Sequence, residues 1–226
     1  MKNALLKALQ QQFITHAHVE NSIGMAKYMK NQFQFYGIKT PLRRQLQKQL
    51  LKQMGLPAFA KIAPTVKQAY AQPQREFHYF ACDLVNEYFN EIPASFIVTA
   101  EYMIVTHAWW DTVDGLSSKL VGHLVSTYPE LAEVMDQWVH HDNFWLQRTA
   151  ILHQLKYKDH TDVERLFHYC RCLSDSKEFF IQKAIGWALR EYSKINAMEV
   201  EQFVNNSTLA PLSQREAMKW IKKQVA

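Results

Sequence analysis

Within seven residues, Ala108-Trp109-Trp110-Asp111-Thr112-Val113-Asp114 sets two adjacent indoles beside two carboxylates. Two later tracts carry related residues, Asn143-Phe144-Trp145-Leu146-Gln147-Arg148 and Phe179-Phe180-Ile181-Gln182-Lys183-Ala184-Ile185-Gly186-Trp187. Trp110, Trp145 and Phe180 lie 35 residues apart, as do Gln147 and Gln182, Arg148 and Lys183, and Tyr157 and Tyr192. A fixed period of this length marks stacked helical units, in which equivalent helices bring distant residues onto one surface. On a shared helix frame, Trp110, Arg148 with Lys183, Asp114, Trp187 and Lys156 fall at i, i+3, i+4, i+7 and i+11, which is one stripe of a helix. Two indoles, a carboxylate and several cations then share a wall, and cations lining a groove can hold phosphates.

The same pattern has a structural reading. Tryptophan at helical spacing is usually core, an apolar stripe is also what a core-facing surface looks like, and Asp114 with Arg148 could be an ion pair between neighbouring helices. Against it, the stripe holds Lys183, Lys156 and Thr149, which are costly to bury. Asp111 corresponds to Leu146 and Ile181 and reads as a helix-start or buried structural acid. Asp114 corresponds to Thr149 and Ala184, small residues suited to an open groove, and is the carboxylate chosen for chemistry.

The elements that must position these groups are helices. With six glycines and seven prolines in 226 residues, and apolar residues recurring at three and four, the spacing predicts helices near 2–13, 21–35, 41–54, 57–71, 75–90, 94–105, 108–127, 130–140, 143–157, 162–173, 178–194, 197–205 and 212–224. Thr40-Pro41, Asp142 and Ser176 with Glu178 supply start signals. The expectation is an all-α chain, one domain over residues 1–226, built of antiparallel helix pairs.

Composition bounds the partners. A net charge of +5 and a pI near 9.0 permit a polyanionic partner without demanding one. No apolar run reaches membrane-spanning length and no secretory leader is visible, so the cytoplasm is the expected compartment and no membrane partner is expected. Cys82, Cys170 and Cys172 are too few for a disulfide framework, and the ten histidines show no zinc spacing, so no metal site is expected. There is no glycine-rich phosphate loop and no Ser–His–Asp signature.

The tracts Tyr28-Met29-Lys30-Asn31, Gly37-Ile38-Lys39-Thr40-Pro41 with Arg43-Arg44, Trp109 to Asp114, Asp142 to Arg148, Ser176 to Trp187 and Leu209 to Ser213 resemble the AlkD-type DNA alkylation repair glycosylases over nearly the whole chain. The resemblance implies a HEAT-like α-solenoid with a concave basic DNA-binding face. It implies a glycosylase that removes N3- and N7-alkylated purines from duplex DNA without cofactor or metal. Since no lysine is marked as a lyase nucleophile and nothing in the sequence indicates an oligomer, a monofunctional enzyme acting as a monomer is expected. The family's catalytic aspartate falls on Asp114, its two tryptophans on Trp110 and Trp187, and its groove arginine on Arg148. Tyr28, Thr40, Lys156, Phe179 and Arg190 look like its DNA-contacting positions, and the basic residues Arg43, Arg44 and Lys183 join them as expected DNA-binding residues. Two alternatives stay open: a HEAT-like protein that binds DNA without excising bases, and a protein-interaction solenoid.

Overall fold

The computed structural model describes residues 3–225. The chain is all-α, of the α-solenoid class, and among the described residues the only strand-like pairing is an isolated bridge between Gln34 and Gln74. It packs as two compact units, Met1–Ile92 and Pro93–Ala226.

The first unit holds α1 (Ala4–Thr15), α2 (Val19–Tyr28), α3 (Thr40–Met54), α4 (Ile62–Tyr70) and α5 (Arg75–Asn86). The Asn3 side chain caps α1 by accepting from the Leu6 amide. Phe13 of α1 meets the Phe77 ring of α5 edge-on at 5.4 Å, and both are fully buried. The helix predicted over 21–35 stops seven residues early, because Lys30 and Asn31 take positive φ and turn the chain. Gly37 then takes a positive φ of its own, and a Cβ there would sit 2.1 Å from the His18 carbonyl oxygen, so the turn requires glycine. The buried Glu76 carboxylate accepts from the amides of Gly37 and Ile38 and holds this turn against α5.

The second unit holds α6 (Ile97–Val105), α7 (Trp110–Gly115), α8 (Gly122–Thr127), α9 (Ala132–Trp138), α10 (Phe144–Leu152), α11 (Val163–Cys172), α12 (Phe179–Tyr192), α13 (Ala197–Asn205), α14 (Pro211–Ala217) and α15 (Lys219–Val225). Its core joins Met103, Val113, Leu124, Met135, Ile151, Ile181 and Leu189. α10 packs on α12, and α12 on α14. Asn143, not Asp142, caps α10, its side chain accepting from the Trp145 amide at 2.9 Å.

The long helix predicted over 108–127 is continuous but not uniform. Residues Leu116–Val121 form a π-helical segment between α7 and α8. The Ser117 hydroxyl donates to the Val113 carbonyl and the Ser118 hydroxyl to the Asp114 carbonyl, so two side chains bond the backbone where the ladder changes step. The helix predicted over 143–157 ends at Leu152, which leaves Lys156 in the following turn, exposed.

Candidate active site

One cleft of about 320 Å³ gathers side chains from α7, α10, α12 and α14: Trp110, Asp114, Arg148, Phe179, Phe180, Lys183, Trp187, Arg190 and Glu216. α7 places Trp110 and Asp114 one turn apart on the same face. α12 contributes a whole stripe, with Phe180, Lys183, Trp187 and Arg190 at successive steps of three or four.

Asp114 is gripped rather than free. The Arg148 Nε donates to its Oδ1 at 2.8 Å and Nη2 to its Oδ2 at 3.0 Å, a side-on fork that fixes the carboxylate plane. The remaining terminal nitrogen, Nη1, donates to the Phe180 carbonyl, which ties α10 to α12. The Arg148 side chain is only 4% exposed, while Asp114 keeps 21% of its surface open to the cleft. Each carboxylate oxygen retains a second lone-pair direction after accepting one bond.

An aromatic layer supports this pair. Trp145 lies 4.9 Å from Phe180 and 6.1 Å from Trp109, and Trp109 meets Phe180 edge-on at 5.3 Å. Trp145 is buried and does not line the cleft. The residues sharing Asp114's place in the repeat, Thr149 and Ala184, are fully buried, contrary to the open-groove expectation for that position. Thr149 is accommodated because its single hydroxyl proton has two acceptors in reach, the Ser117 hydroxyl oxygen and the Trp145 carbonyl, each at 2.8 Å. The stripe is therefore continuous on α12 and interrupted on α7 and α10.

Glu216 is the cleft residue that sequence reasoning missed. It accepts from Lys219 Nζ at 2.6 Å, Arg190 Nη1 at 2.6 Å and Lys183 Nζ at 2.9 Å, and its side chain is 6% exposed. Gly186 makes this possible, because a Cβ there would sit 2.4 Å from the Glu216 Cβ, so α12 and α14 touch through it. The available signal was a single acid inside the basic run Arg215 to Lys223. Burial alone would raise the Glu216 carboxyl, but hydrogen bonds from Lys219, Lys183 and Arg190 outweigh it and lower the group to about 2. Its folded value lies below the ordinary 4.5, so its contribution to stability is complete above that value and is lost as pH falls toward 2. Acid unfolding of Glu216→Gln should accordingly show a shallower dependence on pH between 4.5 and 2 than the parent protein. Equal slopes in urea titrations across that window would contradict this.

Phe179 is 56% exposed at the cleft rim. Lys156 is exposed and is not among the cleft residues. In the first unit, Tyr28 at the end of α2 is 70% exposed, and Thr40 opens α3 on the surface. Arg43 is buried, bonded to Asp83 at 2.7 Å and to Gln47, with its guanidinium 5.1 Å from the Tyr79 ring centre. Arg44 keeps its side chain 62% exposed while reaching the same Asp83.

The model of the DNA alkylation repair enzyme family matches residues 9–221. The chain belongs to that family. A solved structure, that of a predicted DNA alkylation repair enzyme from Enterococcus faecalis, is 35% identical, with 92% of this chain and 97% of that chain covered and a TM-score of 0.85. No curated protein matches significantly. The helical architecture seen here is thus shared with that solved structure, and no described helix is long and apolar enough to cross a membrane.

Proposed function

We propose that the protein is a monofunctional DNA glycosylase that hydrolyses the N-glycosidic bond of N3- and N7-alkylated purines in duplex DNA, as a monomer and without a cofactor in the reaction. The observation that carries this reading is the meeting of Trp110, Trp187 and an Arg148-oriented Asp114 in one open cleft of a DNA alkylation repair family member.

An alkylated N3 or N7 purine already bears a positive charge. Breaking its C1′–N bond sends the bonding pair to the base, which leaves neutral, and moves cationic character to the deoxyribose. No acid is needed for the leaving group, so one carboxylate suffices where most glycoside hydrolases use two. Asp114 stabilises the oxocarbenium ion and orients the water that adds to C1′, whose proton passes through the carboxylate to solvent. Trp110 and Trp187 present π-faces to the sugar, each contributing roughly 0.5–2 kcal/mol as cationic character grows. Arg148 acts chiefly by fixing the carboxylate, since its buried guanidinium is committed to Asp114 and the Phe180 carbonyl.

Lys183, Arg190 and Phe179 at the cleft, with Lys156 and with Tyr28, Thr40 and Arg44 in the first unit, are the proposed duplex contacts. Arg43 acts through its hold on Asp83. Lys183 and Arg190 share Glu216, so phosphate must compete with that carboxylate for them. An open cleft suits recognition from the sugar edge better than full extrusion of the base into a pocket.

The test is release of free base from methylated duplex DNA, read by chromatography and mass spectrometry. Release of 7-methylguanine and 3-methyladenine, with abasic but unbroken strands left behind, is the expected result. Salt-sensitive duplex binding with no base released would make this a DNA-binding member that does not excise.

A further inference from the structure

Outside the cleft, the second unit assembles three metal-ligating side chains. Among the described residues, His140, His168 and Cys172 place ligand atoms within 4.8 Å of one another, all on exposed residues. His168 and Cys172 are one turn apart on α11, and His140 lies in the turn after α9. We propose that His140, His168 and Cys172 bind a divalent transition metal of the zinc type, with a fourth position left for water or an exogenous ligand.

Donor type and geometry both point this way. Two imidazoles and one thiolate form a borderline-soft set that selects zinc over magnesium or calcium, which take oxygen ligands. Tetrahedral bonds of ordinary Zn–S and Zn–N length separate sulfur from nitrogen by about 3.6 Å. Cys172 Sγ lies 3.5 Å from His168 Nε2 before any metal draws them together. The spacing is supplied by an i, i+4 pair on one rigid helix, so little conformational entropy is lost when the metal binds.

The neighbouring charges do not oppose a cation here. Arg165 is engaged by Asp136 at 3.0 Å and Asp162 at 2.7 Å, and the Arg171 guanidinium lies over the Phe203 ring, 5.5 Å from its centre. Asp136 lines the same surface hollow as His168 and adds negative potential, while its own oxygens accept from Arg165 and Tyr169. Binding replaces the Cys172 thiol proton with the metal and releases that proton to the buffer. Linear spacing hides the site, because His140 precedes His168 by 28 residues and no Cys-x-x-Cys or His-x-x-x-His pair announces it.

The full chain, reduced with a non-chelating phosphine and stripped of metal, is titrated with Co²⁺ and then with Zn²⁺. One equivalent of Co²⁺ should produce a thiolate-to-cobalt charge-transfer band and the intense visible bands of a tetrahedral site, and Zn²⁺ should bleach both. Cys172→Ser should abolish the charge-transfer band, and His140→Ala should weaken Zn²⁺ binding at least about tenfold, while circular dichroism shows both variants folded. Absence of saturable binding, octahedral spectra only, or binding indifferent to either substitution would overturn the proposal. None of these readouts depends on base excision.

Discussion

Asp114→Asn should lower the single-turnover rate of 7-methylguanine release by about 1,000-fold while leaving duplex affinity within about twofold. Charge sets the size of the loss. A carboxylate about 4 Å from a developing cation, at an effective dielectric near 20, contributes about 4 kcal/mol. The Arg148 guanidinium behind it opposes roughly half of that at about twice the distance. The substitution removes the anion and keeps the cation, so a net attraction of about 2 kcal/mol becomes a repulsion of similar size. The amide also turns one N–H₂ toward a guanidinium that can only donate, which frees a buried Arg148 nitrogen from its partner. Binding should persist because the proposed phosphate contacts lie on other side chains. A variant that releases base at the parental rate would move the chemistry away from Asp114.

Arg148→Ala should be costly in a different way. The guanidinium is almost fully buried and joins α7 to α10 through Asp114, and α10 to α12 through the Phe180 carbonyl. Its removal strands a carboxylate and a carbonyl, which for a buried pair costs about 3–5 kcal/mol. Asp114 retains a path to solvent, so the low end, about 3 kcal/mol, is expected, with a fall in Tm of roughly 6–12 °C for a chain of this size. Electrostatics alone would raise the rate, since the unopposed carboxylate attracts a cation more strongly. Loss of excision in folded Arg148→Ala would therefore identify positioning as the residue's contribution. Arg148→Lys should rescue little, because an ammonium cannot make the two-pronged contact. Parental stability and activity in both variants would contradict this role.

The family membership and the helical fold were legible in the sequence, and the reasons are local. A 35-residue period survives because each unit must bury the same face against its neighbour. On α12 nothing interrupts the helix between Phe179 and Tyr192, so its stripe runs unbroken along the cleft. Elsewhere the frame fails where the backbone leaves ideal geometry. The π-helical segment after Gly115 changes the angular step, and its two serine-to-backbone bonds are indistinguishable in sequence from ordinary helix-interior serines. Lys156 left the stripe because α10 closes at Leu152. Thr149 looked too polar to bury, but a cross-helix partner 32 residues away satisfies its hydroxyl. Glu216 and the histidine–cysteine cluster depend on packing between helices that share no sequence motif.

The central claim is that the cleft acts on bases that carry their own positive charge and leave without protonation. Its most direct test is the single-turnover rate for 7-methylguanine against a neutral lesion, such as 1,N6-ethenoadenine, in one duplex context. Excision of the cationic base at least about 100-fold faster, a difference of about 2.7 kcal/mol in the barrier, is the result this account requires. Equal rates for the two bases would mean that leaving-group protonation is supplied after all, and that a lone carboxylate between two indoles is not the machinery.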